Sequence, residues 1–129
     1  MPGYFRPISA GPGAASRPSS RTGADPHAAA LVAEGEGSIV GAVLIRIHDT
    51  PDDPAMVPRR RAHVEALVVD ERHRRAGVGT ALMDAANSWA RERGAVEILL
   101  TVWDGNAAAE AFYQRLGYRV VSRALGKPI

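Results

Sequence analysis

Ala66-Leu67-Val68-Val69, then Arg74-Arg75-Ala76-Gly77-Val78-Gly79-Thr80, then Ala81-Leu82-Met83 sets three patterns in close succession: an apolar β-branched run, a short polar turn holding two glycines one residue apart, and a helix-spaced apolar pattern. The order reads as strand, phosphate-sized loop and helix N-terminus. Such a turn suits an anion. Gly77 and Gly79 lack a Cβ, so the backbone can take positive φ and approach a phosphate while successive N–H groups point inward. The helix that starts here adds its unpaired donors and the positive end of its dipole. Arg74 and Arg75 offer charge-assisted hydrogen bonds to the same anion. The loop alone is equally compatible with a bare tight connection between strand and helix. Spacing does exclude two other glycine loops. The dinucleotide fingerprint needs a small third residue where this chain has Leu82, and the Walker loop needs a Gly-Lys-Ser/Thr that is absent.

The spacing that fits is Arg-x-x-Gly-x-Gly after a strand ending in Val-Asp, here Val69-Asp70 and then Arg74, Gly77 and Gly79. This resembles the acetyl-CoA loop of the GNAT superfamily of N-acetyltransferases. A second segment, Asn106-x-x-Ala109-x-x-Phe112-Tyr113-x-x-Leu116-Gly117-Tyr118, matches the same family at the distance it uses. Together the two cover Arg61 to Ile129.

At 129 residues the chain makes one domain, of a size that buries about two thirds of its extended-chain surface. It contains no cysteine, which removes disulfides, thiolate metal sites and a cysteine nucleophile and suits a reducing cytoplasm. Four histidines without close spacing give no metal site. The longest apolar runs fall far short of a membrane span, and the first residues lack a signal-peptide apolar region. The expectation is a cytoplasmic protein with no membrane partner. Formal charge is only +2, and Lys127 is the single lysine. Arginines at 59–61 and at 72, 74 and 75 could form a basic strip, the one feature favouring nucleic acid. No aromatic residues interleave with them, and a phosphate-bearing cofactor accounts better for the second cluster. The preference for Arg, Ala, Gly and Pro points to a GC-rich bacterial genome.

Residues 1–27 are rich in Pro, Gly, Ser and Arg without period and read as an irregular or disordered tail; residues 28–129 carry the domain. Ala28 to Glu34 and Ile39 to His48 are strands joined by Gly35-Glu36-Gly37, an antiparallel hairpin. The second is apolar on both sides for part of its length, which predicts cover on both faces. Asp49 to Pro58 is a loop with an acidic cluster. Arg61 to Val69 is the third strand, and strict alternation puts Val64, Ala66 and Val68 on one face and His63, Glu65, Leu67 and Val69 on the other. A helix follows from Gly79 to Arg93, stopped by Gly94, with Trp89 buried. Ala95 to Val102 is a strand, Asn106 caps a helix that runs to Leu116, and Tyr118 to Leu125 is a last strand. The order β-β-β-α-β-α-β is α/β (α+β), with strands three and four parallel around a crossover helix.

The resemblance implies the rest: a mixed, mostly antiparallel twisted sheet, flanked by helices, whose parallel pair splays around acetyl-CoA. It implies a cofactor contact for Leu67, Val68 and Val69, with the backbone of Leu67 and Val69 bonding the pantetheine amides as an added strand would. It gives the pyrophosphate to donors of Arg74, Arg75, Ala76, Gly77, Val78, Gly79 and Thr80, and a contact with the cofactor arm to Asn106. Tyr113 is placed near the sulfur as the acid, and a departing thiolate is basic enough to draw a phenolic proton. Glu65, where many family members carry a carboxylate, is the candidate base, with His63 as the alternate. No cysteine and no Gly-x-Ser-x-Gly elbow is present, so direct attack in a ternary complex is expected over an acyl-enzyme. The implied activity is N-acetyl transfer from acetyl-CoA to a primary amine of a small molecule or peptide. The alternatives are a non-catalytic acetyl-CoA-binding or regulatory domain and, further off, a nucleic-acid-binding module. Relatives open with a strand and two helices before the region that matches Ala28 onward. Read as shortened there, this chain would leave a sheet edge and groove open, and the expectation is either a homodimer formed through the N-terminal half or a recorded start that misses upstream sequence and gives a poorly stable form.

Overall fold

The computed structural model describes residues 5–6, 25–35, 37–50, 59–74 and 77–129. Five strands lie in sequence order in one sheet: β1 (Phe5–Arg6), β2 (Ala28–Gly35), β3 (Ser38–Asp49), β4 (Arg60–Val69) and β5 (Glu97–Leu99). Every neighbouring pair is antiparallel except β4 and β5, which are parallel and joined through helix α1 (Val78–Glu92). A second helix, α2 (Ala107–Arg115), follows β5. The expected tail over residues 1–27 thus contains a short strand, Phe5–Arg6, paired with Gly35 and Glu34. Its remainder, apart from Asp25 to His27, lies outside the described residues, as do Glu36 of the hairpin link and the acidic cluster at 51–58.

The core follows from the apolar periods. Residues alternating along β2 and β3 (Ala29, Leu31, Ala33; Val43, Ile45, Ile47) turn to one face, and Val78, Leu82, Ala85, Ala86, Trp89 and Ala90 return at helical spacing on α1 to cover them. Trp89 is buried, as its position predicts, with the Arg93 guanidinium 4.2 Å from its ring centroid. Phe112 and Tyr113 of α2 and Leu116 at its C-cap pack against the same cluster, so both helices lie on one side of the sheet. Cover on both faces of β3 is therefore not found: Leu44, on the other face, is 41% exposed, and no described helix lies over it.

At Gly41 α1 packs tightly against the sheet. A Cβ there would stand 2.9 Å from Leu82 Cδ1 and 3.0 Å from both Val78 Cγ1 and the Val68 carbonyl oxygen. The carbonyl is fixed by the sheet, so the helix would have to lift. Overpacking of this kind costs about 1–3 kcal/mol, and Gly41→Ala should lower the melting midpoint by about 5–10 °C. An unchanged melting curve would show that α1 can shift at no cost.

Three sequence readings are corrected. Register is the first. Pairing runs Ile45 to Val64 and then Leu44 to Ala66, which leaves Glu65 as an extra residue, a β-bulge. Strict alternation ends there. Val64, Leu67 and Val69 all belong to the core side, while His63, Ala66 and Val68 share the open face with their β3 partners Arg46, Leu44 and Ala42. The second correction concerns the strand expected over 95–102, which pairs only at Glu97–Leu99, against Arg61, Ala62 and His63. Beyond His63, β4 and the following chain of β5 are unpaired with each other. The third is the strand expected from Tyr118 to Leu125, where no strand forms. Val120, Val121 and Leu125 are 62–94% exposed, because an apolar alternation becomes a strand only where a neighbour supplies the other half of the ladder.

Candidate active site

The phase of the β3–β4 ladder decides which backbone groups of β4 are free. Asp70 N donates to Val40 O at 2.8 Å and Thr50 N to Arg59 O at 2.9 Å, so Ala66, Val68 and Asp70 turn their backbone toward β3. On the opposite edge Val96 N donates to Arg60 O at 2.9 Å, the start of the β5 pairing. Leu67 and Val69 share that edge, above the point where β5 ends, and no strand covers them among the described residues. Arg74 Nε lies 3.4 Å from Val69 O, against this same edge. Of the three residues expected at the cofactor, Leu67 thus presents its backbone groups and Val69 its N–H on the uncovered edge, the Val69 carbonyl accepting from Arg74 Nε, whereas Val68 presents a side chain to the open face, 62% exposed.

Past Val69 the chain makes a tight turn through Glu71–His73. Asp70 caps it by accepting from Arg72 N, and its carboxylate also meets His73 Nδ1 at 3.3 Å. The backbone donation from Arg72, followed by the His73 bond and the Arg72 charge, holds the Asp70 carboxyl below the usual range despite some opposing desolvation. Arg75 and Ala76 lie outside the described residues. Gly77 stands at φ +83° as the N-cap of α1, a conformation that favours glycine, and no side chain caps the helix there. The first-turn N–H groups of α1 are therefore open to an outside acceptor. Val78 is 1% exposed and can serve only through its backbone, while Thr80 is exposed. Gly79 has a third neighbour that sequence reasoning did not name. A Cβ there would stand 3.2 Å from Phe112 Cζ and 3.9 Å from Val69 Cγ2, so loop, strand edge and α2 converge on this glycine.

Asn106 caps α2 as expected, its Oδ1 accepting from Ala109 N at 3.2 Å. One helical face then carries Phe112 and Tyr113 to the core side of the split. The Tyr113 ring meets Phe112 edge-on at 4.9 Å between centroids and Tyr118 at 5.7 Å. Partial burial pushes the Tyr113 phenol above its ordinary value. Tyr118, more deeply placed, is pushed up to about 12, by burial first and then by Tyr113 and Asp84.

Glu65 is on the other side. Its bulge position leaves the carboxylate on the open face, 3.4 Å from Arg46 Nε, and Arg46 also holds Asp25 at 2.9 Å. These are half-exposed pairs, so they orient more than they stabilise. His63 is on the same face, its ring 4.5 Å from that of His48. Burial, then His48 and Arg61, hold the His63 imidazole below its usual pKa, with Glu65 opposing. A lowered value keeps the ring neutral, and able to accept a proton, to more acidic pH than an ordinary histidine. Sequence reasoning missed Arg46 and His48, and the signal was there: each is a polar interruption in the apolar β3.

An uncovered strand edge, an uncapped helix N-terminus with a left-handed glycine, a half-buried phenol on one side of the split and a carboxylate with an imidazole on the other meet around the end of the β4–β5 pairing. The acetyltransferase (GNAT) family profile matches residues 6–118. An N-alpha-acetyltransferase of Sulfurisphaera tokodaii is 35% identical over 98 residues, 74% of this chain and 59% of that relative's length. The chain is thus similar to about three fifths of that protein. Among solved structures, the BH1408 protein from Bacillus halodurans is 31% identical with a TM-score of 0.76, covering 80% of this chain and 66% of that one. An aminoglycoside N-acetyltransferase in complex with CoA, 19% identical, shares the fold with a TM-score of 0.73 over 85% of this chain and 81% of its own. With the match running through β2 to α2 and including both motif segments, this chain belongs to the GNAT acetyltransferase family.

Proposed function

We propose that the protein moves an acetyl group from acetyl-CoA to a primary amine of a small molecule or peptide, by direct attack in a ternary complex. The observation that carries this reading is the uncovered β4 edge at Leu67 and Val69 together with the uncapped start of α1 at Gly77. Likeness to an N-alpha-acetyltransferase includes peptide termini among the acceptors. A reducing cytoplasm is the setting that a cysteine-free chain suits.

Bound acetyl-CoA would supply the acetyl group as an activated thioester. Leu67 and Val69 would hold the pantetheine amides through their backbone groups, as a sheet edge takes an added strand. The side chain of Asn106 would line the arm, while that of Val68 stands on the open face, toward the acceptor. Arg74 and Arg75, with the backbone of Ala76, Gly77, Val78, Gly79 and Thr80, would hold the pyrophosphate. Glu65 would take a proton from the acceptor ammonium, directly or through a water, exchanging its contact with Arg46 for one with the amine. Tyr113 would give its proton to the departing thiolate from the opposite face. Acid and base thus approach the split from different sides and do not neutralise each other.

The test is turnover of acetyl-CoA against an amine panel, read as free thiol, alongside calorimetry with CoA. Folded wild-type protein with no affinity for CoA would end this reading. Glu65→Gln should lower turnover about 10²-fold near neutral pH and recover as rising pH supplies neutral amine from solution. A rate profile of unchanged height would move the role to His63, whose lowered pKa would set an acid limb below an ordinary histidine's.

A further inference from the structure

Among the described residues, the aromatic ring left most open to water is that of Trp103, beside the split. Trp103 is 84% exposed and is the one aromatic ring among the exposed large hydrophobic side chains of the described residues; the only other tryptophan, Trp89, is buried. A covered indole removes about 150–250 Å² from water, and the described fold gives this one no cover.

Its position follows from the β5 alternation. Glu97 is on the open face, with Arg61 Nε at 3.1 Å, while Ile98 and Leu100 pack against the core. Leu99, Thr101 and Trp103 then follow Glu97 on the open face, and the exposure of Thr101 and Trp103 on either side of half-buried Val102 agrees. Counting on from the His63–Leu99 pair, with Glu65 as the bulged extra residue, Trp103 comes level with Val68 on the far side of the split. Both helices occupy the core side, and the glycine loop opens there with α1, so a phosphate-bearing cofactor is held from that side. The acceptor is left the open face, where Glu65 and His63 stand. On one side of them that face is charged, with Arg46, Asp25, His48, Arg61 and Glu97; on the other, toward the split, it is mainly carbon, with Ala42, Leu44, Ala66 and Val68 on one wall and Trp103 on the other, Leu44 41% and Val68 62% exposed. An acceptor whose nitrogen meets Glu65 and whose body extends toward the split lies on this apolar part, where a hydroxyl-rich body finds few partners and an apolar one finds a ring to stack on.

We propose that Trp103 determines acceptor specificity: its indole is the platform for the carbon body of an amine bearing an aryl or branched-alkyl group, whose nitrogen is presented toward Glu65. This inference rests on the acetyltransferase reading and names the acceptor class for it. The same cover could come from a second copy of the chain, and the test separates the two.

The full chain is titrated with 2-phenylethylamine and with glucosamine, following tryptophan emission, and both amines are assayed with acetyl-CoA. The expected results are a saturable emission change with 2-phenylethylamine and none with glucosamine, and a KM for 2-phenylethylamine raised about tenfold in Trp103→Ala. KM for acetyl-CoA and melting temperature should stay unchanged. Trp103→Phe, which keeps a ring but removes the reporter, should restore that KM and abolish the emission change. A Trp103→Ala KM within twofold of wild type, an emission change shared by both amines, or one that follows protein dilution in place of amine concentration would overturn the proposal. Saturable binding without turnover would leave it standing and count against the enzymatic reading, whereas turnover indifferent to Trp103 would do the reverse.

Discussion

Tyr113→Phe should lower turnover about 10²–10⁴-fold, the contribution of a positioned acid, with the fold intact. Phenylalanine keeps the ring that meets Phe112 at 4.9 Å and Tyr118 at 5.7 Å, so packing is preserved and only a proton donor is lost. The pH dependence has a definite sign. Burial raises the Tyr113 pKa above 10.0, so the phenol carries its proton throughout the neutral range and loses it only as pH rises through that raised value. Any fall in wild-type rate on the alkaline side that belongs to Tyr113 must lie above pH 10 and must vanish in the variant. Tyr118 serves as the internal control. Its phenol, at about 12, is the poorer donor, and Tyr118→Phe should change turnover little. Single-turnover measurements with free thiol as readout decide the matter, because they isolate chemistry from product release. A Tyr113→Phe rate within twofold of wild type, or a loss that follows Tyr118 instead, would take Tyr113 out of the mechanism.

Gly79→Val should weaken CoA binding about 10–10²-fold, the factor that corresponds to 1–3 kcal/mol of overpacking. Two effects act together at this position. A branched side chain would stand among the first-turn donors of α1, where a phosphate must approach. It would also press on Phe112, which already lies 3.2 Å from the place of a Cβ, and Phe112 precedes Tyr113 on α2. The variant should therefore lose turnover beyond what saturating acetyl-CoA can restore. Gly79→Ala separates the effects: one methyl asks Phe112 to give by a few tenths of an ångström and leaves the approach to the loop largely open, so its loss should be intermediate. Calorimetry with CoA gives the affinity and thermal melting gives the packing cost. Wild-type affinity in Gly79→Val would mean that the glycine is there for the strand-to-helix connection alone.

Much of this was legible in the chain because the signals are local. The hairpin of β2 and β3 shows as apolar alternation interrupted by glycine, and α1 as a helical period begun by Gly77 and closed by Gly94, both at positive φ. The cap at Asn106 uses an oxygen and an N–H only three residues apart. Each is a matter of neighbours in sequence, and a glycine or an asparagine carries its own conformational reason wherever it is found. The motif residues of the loop and of α2 were found in the same way, and so was the parallel pair of β4 and β5 around α1, which handedness and short connections leave little freedom to avoid.

What the tertiary structure decided is the assignment of faces and edges. Sequence alternation put Glu65 on the same face as Leu67 and Val69; the bulge puts Leu67 and Val69 on the core side and leaves Glu65 in the open beside Arg46. Nothing within β4 marks Glu65 as the extra residue, since the slip is settled by how Leu44 and Ile45 of another strand meet it. The shortness of β5 and the absence of a strand after Tyr118 have the same origin. A run such as Val120-Val121 has the composition of a strand, but a ladder needs a second row of donors and acceptors, and only the assembled sheet determines where that row lies.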